Sequence, residues 1–271
     1  MKLRLWQVDA FAGHAFAGNP AAVVPLEQWL PDATMQAIAN ENNLSETAFL
    51  VSRGPGLYDL RWFTPQAEIP LCGHATLASG WVVLNELCPQ LNLVRFETRS
   101  GELTVGRADG GRLSMALPAD EVAPFAAPDG YAETLGASLG VCPPEEIHIG
   151  RKLMAVWNDA TTIRGMKLGD IASVMERADK WGLIVTAGGP TAAPYDFISR
   201  FFSIGYGIPE DPVTGAAHCA LVPYWAKRLG KRTLRAFQAS PRGGELLCTD
   251  EGERVTLSGP CALYMRGEIA V

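Results

Sequence analysis

One carboxyl group stands in a strongly apolar segment of this sequence. Glu46 lies in the run N-L-S-E-T-A-F-L-V, residues 43–51. Strand alternation would place it on one face with three apolar side chains, Leu44, Ala48 and Leu50. A carboxyl group that loses hydration favours its protonated form, which suits a general acid or base. The segment alone leaves a second possibility open, a glutamate on an edge strand that faces water.

The tripeptide Cys72-Gly73-His74 forms a predicted loop-to-helix junction. Gly73 permits a tight turn, and the free N–H groups and the dipole of a helix start favour a bound carboxylate. His74 could donate a hydrogen bond or shuttle a proton, or it could be a capping or packing histidine. Cys72 could be a thiolate base, because a helix N-terminus lowers the pKa of a thiol. Taken alone, a cysteine is more often a small buried hydrophobe.

A second junction of the same kind occurs at residues 209–215, P-E-D-P-V-T-G. Here Asp211 would face a substrate while backbone groups near Thr214 and Gly215 hold an anion. The alternative is that the two acidic residues are ordinary caps of a helix N-terminus.

Other chemical motifs are missing from the sequence. The four histidines show no metal-ligand spacing, and the six cysteines form no C-x-x-C pair, so we expect no metal site. Gly205-x-Gly207 lacks the third glycine of a dinucleotide fingerprint. His218 lies inside a predicted apolar helix, which favours a packed, hydrogen-bonded histidine over a catalyst.

A weak internal repeat links the two junctions. Arg61-Trp62-Phe63 precedes Gly73, and Arg200-Phe201-Phe202 precedes Gly215, each time through a loop that contains proline. Each glycine opens a helix that is apolar nearly all round, and such helices are usually buried. These predicted helices are about Ala75–Leu87 and about Ala216–Leu229. The repeat predicts two pseudo-symmetric halves, each with strands wrapped on one buried helix.

Residues 118–130, P-A-D-E-V-A-P-F-A-A-P-D-G, hold three prolines and no apolar periodicity, which is typical of a domain boundary. We therefore predict an N-terminal domain of residues 1–117 plus about 261–271, which carries Glu46 and His74. The C-terminal domain would be residues 118–260 and carry Asp211.

Composition narrows the function classes. Hydrophobic residues make up 48% of the 271 residues and charged residues 19%, which excludes general disorder. A formal net charge of −6 argues against a nucleic-acid surface. Because the sequence shows no signal peptide and no run of eighteen apolar residues, we expect a cytoplasmic protein without a membrane partner.

Taken together, these segments resemble the phenazine-biosynthesis PhzF-like family. The matching pieces occur in the family's order and spread over most of the chain. They are D-A-F-x(6)-G-N-P-A-A-V-V from residue 9, N-L-S-E-T-A-F from 43, F-T-P-x-x-E-I-P-L-C-G-H-A-T-L-A from 63, S-R-F-F from 199 and E-D-P-V-T-G-A-A-H from 210.

The resemblance implies an α/β (α+β) fold like that of diaminopimelate epimerase. Each of two pseudo-symmetric domains would be a strongly curved mixed or antiparallel sheet around a central apolar helix. It further implies a homodimer, no cofactor and a small-molecule carboxylate substrate.

The resemblance also assigns roles to residues. It implies that Glu46 is the acid/base and that Ser45, Gly73, His74, Asp211 and Thr214 line the pocket. We expect His74 and Asp211 to be further catalytic residues. The residues expected to bind the substrate are Ser45, Gly73, Thr214, Gly215 and Asn19.

Two positions depart from the patterns of related enzymes. Residue 216 is Ala where the phenazine enzyme has Ser, which removes one polar contact to a substrate. Cys72 matches one thiol of the epimerase pattern, whereas the second junction offers Asp211-Pro212 and no thiol. A symmetric epimerase with two thiols is therefore not expected.

Our leading hypothesis is a cofactor-independent isomerase. Glu46 would remove an activated C–H proton from a carboxylate-bearing substrate, and Glu46 or His74 would return it elsewhere. One alternative is an amino-acid racemase or epimerase that uses Cys72 or Glu46 with Asp211. Another is a protein that binds a small molecule or a partner without catalysis, since a fold alone does not fix the function.

Overall fold

The structure is a computed structural model that describes residues 1–190, 193–203 and 209–271. The chain divides into two compact units, Met1–Leu117 with Thr256–Val271, and Pro118–Val255. The Gly205-x-Gly207 motif lies outside the described residues. No helix within the described ranges is long and apolar enough to cross a membrane.

Strands and a few helices alternate along the chain. The strands are β1 (Lys2–Ala10), β2 (Asn19–Leu26), β3 (Glu46–Gly54), β4 (Leu57–Phe63), β5 (Glu68–Ile69), β6 (Leu93–Thr98), β7 (Gly101–Arg107), β8 (Leu113–Pro118), β9 (Ala123–Pro124), β10 (Glu146–Ile149), β11 (Leu153–Trp157), β12 (Gly182–Gly188), β13 (Phe197–Ser203), β14 (Glu210–Asp211), β15 (Thr233–Gln238), β16 (Gly244–Asp250), β17 (Arg254–Gly259) and β18 (Cys261–Ala270). The α-helices are α1 (Asp32–Asn42), α2 (Gly73–Val82), α3 (Tyr131–Ser138), α4 (Ala160–Gly165), α5 (Ala172–Arg177) and α6 (Gly215–Leu229). The chain is thus of the mixed α/β class, as predicted.

The first unit is built on one series of paired strands. β1 pairs antiparallel with β18 and β2, β2 runs parallel to β3, and β3 is antiparallel to β4. β4 then pairs antiparallel with the short β5 and parallel with β6, and β6, β7 and β8 continue as an antiparallel meander. The parallel β2–β3 step requires a crossover connection, and α1 supplies it.

α2 is the buried helix of the first unit. Each of its residues except Trp81 is buried, and it contacts β1, β2, β3 and β7. Gly80 permits the closest approach, because a Cβ atom there would lie 2.4 Å from Cγ1 of Val105 on β7. The predicted helix about Ala75–Leu87 corresponds to α2 and the π-helical turn Val83–Leu87 that follows it.

The second unit repeats the order of pairings. β10 is antiparallel to β11, β11 runs parallel to β12, and β12 is antiparallel to β13. β13 pairs antiparallel with the short β14 and parallel with β15, which is antiparallel to β16. The two units therefore share one topology, as the internal repeat predicts.

α6 is the buried helix of the second unit and agrees with the predicted helix at its C-terminal end, Leu229. Pro223 lies inside it and has no N–H to donate to the carbonyl of Cys219. The backbone N–H of Asp120 donates to that carbonyl instead, at 3.0 Å. The proline is accommodated because the segment that opens the unit supplies the missing donor.

Candidate functional site at the first glycine junction

Glu46 is the first residue of β3 and follows closely on the end of α1. Asn43 closes α1 in the left-handed conformation, with φ at 48°, and its N–H donates to the carbonyl of Ala39. The parallel register with β2 then places Glu46 beside Ala21. The residue is only 9% exposed, so it is not the water-facing edge glutamate that the sequence left open.

His74 is the second residue of α2 and is 3% exposed. Its Nε2 lies 2.9 Å from Oε2 of Glu46. This is the distance of an ion pair, although the angles at the two atoms are not those of a hydrogen bond. The two side chains are close enough to pass a proton. Nε2 of His74 and Oε2 of Glu46 do not form a linear hydrogen bond with each other.

The other ring nitrogen of His74 meets Asn19 and Cys72. Nδ2 of Asn19 lies 3.0 Å from Nδ1, and Sγ of Cys72 lies 3.5 Å from it. An amide nitrogen only donates, so in the neutral ring Nδ1 accepts and Nε2 carries the proton toward Glu46. In the imidazolium both nitrogens donate, and Asn19 would present its amide oxygen instead. Asn19 can thus match either protonation state of His74.

Burial and charge act in opposite directions on His74. Burial alone would lower its pKa, but the neighbouring Cys72 and the Glu46 carboxylate outweigh this effect and hold the pKa well above its ordinary value. Burial raises the pKa of the Cys72 thiol to about 11, and the Glu46 carboxylate adds to the rise. Of the two possibilities that the sequence left open for Cys72, the raised pKa favours a buried, protonated thiol, because desolvation exceeds the effect of the helix dipole.

The second junction is organised around Asp211 and Thr214. Asp211 ends the short strand β14, and its Oδ2 accepts a hydrogen bond from Oγ1 of Thr214 at 2.5 Å. Thr214 is the N-cap residue of α6 and is 8% exposed. The hydroxyl of Thr214 therefore holds the carboxylate of Asp211 near the start of α6.

Two residues that the sequence did not indicate brace this loop. Gln238, at the end of β15, accepts from the N–H of Thr214 at 2.8 Å and donates to the carbonyl of Asp211 at 2.7 Å. Oγ of Ser240 donates to the carbonyl of Pro212 at 2.8 Å. No local motif marks Gln238 or Ser240, because their partners lie more than twenty residues away in the sequence.

The remaining predicted residues take positions beside these two groups. Ser45 is half-buried and directly precedes β3. Gly73 and Gly215 are the buried first residues of α2 and α6. The first unit thus brings together Glu46, Cys72, His74 and Asn19, and the second unit brings together Asp211, Thr214 and Gly215.

His218 is a packed histidine, as predicted. Its Nδ1 donates to the carbonyl of Thr214 at 2.9 Å, and its ring lies against that of Phe197. Burial lowers its pKa to about 4, so the ring is neutral at neutral pH.

Comparison with known proteins shows the family to which this chain belongs. The family model described as phenazine biosynthesis-like protein (PhzC-PhzF) matches residues 8–267. The chain belongs to this family. A relative from Pseudomonas aeruginosa named an uncharacterized isomerase is 49% identical over 269 residues, which cover 99% of each chain. The resemblance read from the sequence motifs is confirmed.

Solved structures show the same relationship in three dimensions. A PhzF-family phenazine biosynthesis protein from Enterococcus faecalis is 43% identical, with a TM-score of 0.91 over the whole of both chains. A hydroxyproline epimerase from Agrobacterium vitis matches 100% of this chain and 93% of its own at 10% identity, with a TM-score of 0.59, which shows shared fold alone. The PhzF-like chain is an enzyme of the isomerase class.

Proposed function

We propose that this enzyme moves a proton within a small carboxylate-bearing substrate, with Glu46 as the general acid/base. The observation that carries the proposal is the 2.9 Å approach of Nε2 of His74 to Oε2 of Glu46 at the buried start of α2. A carboxylate and an imidazole at this distance can hold one proton between them and release it to a third group. Neither group needs a cofactor for this step.

The reaction divides into two proton transfers. The Glu46 carboxylate takes the proton from an activated C–H bond, and the electron pair of that bond moves into the conjugated system of the substrate. Glu46 or His74 then delivers a proton to another carbon, so that the proton count of the substrate is unchanged. Positioned proton transfer of this kind contributes about 10²–10⁴-fold to the rate.

The start of α2 supports an anionic substrate at the same place. The first N–H groups of a helix have no intrahelical acceptors, and the helix dipole is positive there. A substrate carboxylate near Gly73 would therefore be stabilised by about 0.3–2 kcal/mol. We propose an unsaturated or amino-acid-like carboxylate, because an adjacent π-system or carboxylate makes a C–H proton removable.

Proton NMR in heavy water tests the reaction class. Unsaturated carboxylates and amino acids are incubated with the enzyme, and loss of a C–H signal together with a new isomer is the expected result. Glu46→Gln should lower the exchange rate at least about a hundredfold. Glu41→Gln, the same change at an exposed position in α1, should leave the rate unchanged.

The products separate the alternatives. Exchange that yields the mirror-image amino acid would replace the isomerase proposal with a racemase. Absence of both exchange and a new isomer with every compound that binds would favour a binding protein.

A further inference from the structure

Glu46, Cys72 and His74 offer three different metal-binding groups at one place. One ligand atom can be chosen from each so that all three atoms lie within 4.8 Å of one another. Three atoms within 4.8 Å of one another all lie at most about 2.8 Å from a common point, where an ion could sit. Zinc bonds to these groups are about 2.0–2.3 Å long. An inward movement of less than about 1 Å, which side-chain rotation provides, would bring all three into bonding range.

The thiol and the imidazole already have the spacing of two ligands on one tetrahedral ion. Sγ of Cys72 lies 3.5 Å from Nδ1 of His74. Bonds of about 2.3 Å to sulfur and about 2.05 Å to nitrogen, at the tetrahedral angle, place two ligand atoms about 3.5–3.6 Å apart. This pair therefore has the spacing that an ion requires. Binding would displace Asn19 from Nδ1 and would need Glu46, now nearest Nε2, to rotate towards Nδ1.

Burial and ligand type narrow the choice of ion. Cys72 is 6% exposed, and Glu46 and His74 are similarly buried, so that few water molecules can complete a coordination shell. Sulfur and imidazole ligands favour borderline ions such as Zn²⁺ and Co²⁺, whereas Mg²⁺ and Ca²⁺ prefer shells of oxygen.

We propose that Glu46, Cys72 and His74 form a binding site for a divalent ion of the zinc type, and that the bound ion inhibits the enzyme. Inhibition follows because the bonds to the ion occupy the lone pairs that the proton transfer requires. The inhibitory part rests on the proposed function, whereas binding of the ion does not.

The linear sequence hides this ligand set. Its members come from the start of a strand and the start of a helix, and Cys72-x-His74 is shorter than the usual spacing of zinc ligands. Only the folded chain brings Glu46 to the other two.

Cobalt titration tests the site without a substrate. Co²⁺ added to the reduced, oxygen-free protein should give a thiolate-to-cobalt charge-transfer band in the near ultraviolet and the intense visible bands of a tetrahedral site. The signal should saturate at one ion per chain and disappear on addition of Zn²⁺. Cys72→Ser should abolish the charge-transfer band. Glu46→Gln should weaken binding at least about tenfold, because loss of a direct ligand should cost no less than loss of an outer partner.

An accessible thiol provides the matched control. Cys142 is exposed, and Cys142→Ser should leave the cobalt spectrum unchanged. A band that persists in Cys72→Ser and vanishes in Cys142→Ser would overturn the proposal, as would the absence of any thiolate band. X-ray absorption of the zinc-loaded wild-type protein gives an answer that does not depend on how a variant folds. One sulfur ligand is expected, and a shell without sulfur would refute the site.

Discussion

The two glycine junctions are built on the same frame. In the first unit Arg61 on β4 holds Glu68 on β5 through two hydrogen bonds of 2.8 Å. In the second unit Arg200 on β13 holds Glu210 on β14 through bonds of 2.6 and 2.8 Å. Each short strand then leads through two residues to the helix N-cap. A bidentate pair of this kind fixes the strand from which the loop departs.

The junctions differ in the groups that this frame presents. Phe63 pairs with Thr47, and the corresponding Phe202 pairs with Leu183, so that Gly182 stands where the first unit has Glu46. Along the helices, Ala216 stands where the first unit has His74. The second unit therefore repeats the support and lacks the acid–base pair. The supporting frame is thus common to both junctions, whereas the Glu46–His74 pair belongs to the first.

Replacement of the two arginines should give the largest changes in unfolding free energy, and the two changes should differ. Arg200 also donates to the carbonyls of Ile163 and Met166. We expect Arg200→Met to cost about 3–5 kcal/mol of unfolding free energy, because it leaves the carboxylate of Glu210 half-buried without its partner.

Arg61→Met should cost less, about 1–3 kcal/mol, since Arg99 also binds Glu68, at 2.8 Å. Urea unfolding followed by circular dichroism measures both changes. Equal losses of unfolding free energy in the two variants would show that the further contacts of Arg200 and of Arg99 do not affect the stability of the two frames.

The histidines of the two buried helices should give opposite pH dependence. The folded-state pKa of His218 is about 4, below its ordinary value of 6.5, because burial disfavours the imidazolium. Its contribution to stability is therefore complete above about pH 6.5 and is lost as the pH falls toward 4, by at most about 3 kcal/mol. The pKa of His74 is raised, so its contribution is present at low pH and is lost as the pH rises through the folded-state value.

His218→Gln keeps a donor for the carbonyl of Thr214 and removes the titrating group. Its unfolding free energy, measured by urea between pH 7 and pH 4, should fall less steeply than that of the wild type. If the unfolding free energies of the two proteins changed equally with pH, the low pKa assigned to His218 would be contradicted.

A side chain at residue 182, the position that corresponds to Glu46, should destabilise the protein. A Cβ atom there would lie 2.6 Å from Cζ of Phe201. We expect Gly182→Ala to cost about 1–3 kcal/mol through overpacking. Gly188→Ala, in the same strand, would place its Cβ 3.8 Å from the ring of Trp225 and should change stability far less. Thermal unfolding of the pair tests this, and similar losses in both variants would disprove the steric explanation.

Cys72→Ser should have the smallest effect on turnover. With a pKa of about 11 the thiol is protonated at neutral pH and does not serve as a base there. We expect the rate on a confirmed substrate to fall by less than about tenfold, a change of less than about 1.4 kcal/mol. A loss of a thousandfold would instead favour the racemase in which Cys72 is a base.

The sequence predicted the elements of the site better than its contacts. Glu46, the two glycine junctions and the repeated aromatic strands were visible because each depends on local patterns. Strand alternation assigned Glu46 to one face of β3 but did not show that both faces are covered, since residues 46–50 are all buried. α1 and α2 both contact this strand, and covering by two helices hides any alternation.

Long-range partners could not be predicted in this way. Asn19 reaches His74 across 55 residues, and Gln238 reaches Thr214 across 24. Their side chains are ordinary polar groups in sequence, and only the strand pairing brings them to the helix starts. The opposing effects of burial and charge on the pKa of His74 likewise depend on the folded surroundings.

We propose that the first junction carries the proton and that the second does not. Glu46→Gln and Asp211→Asn, compared for kcat, KM and deuterium incorporation on one confirmed substrate, test it most directly. We expect Glu46→Gln to fold and to bind substrate but to lower kcat and the exchange rate at least about a hundredfold. Asp211→Asn should retain exchange and act mainly on KM. Unchanged turnover in Glu46→Gln would contradict the account and transfer the acid–base role to His74 and Asp211.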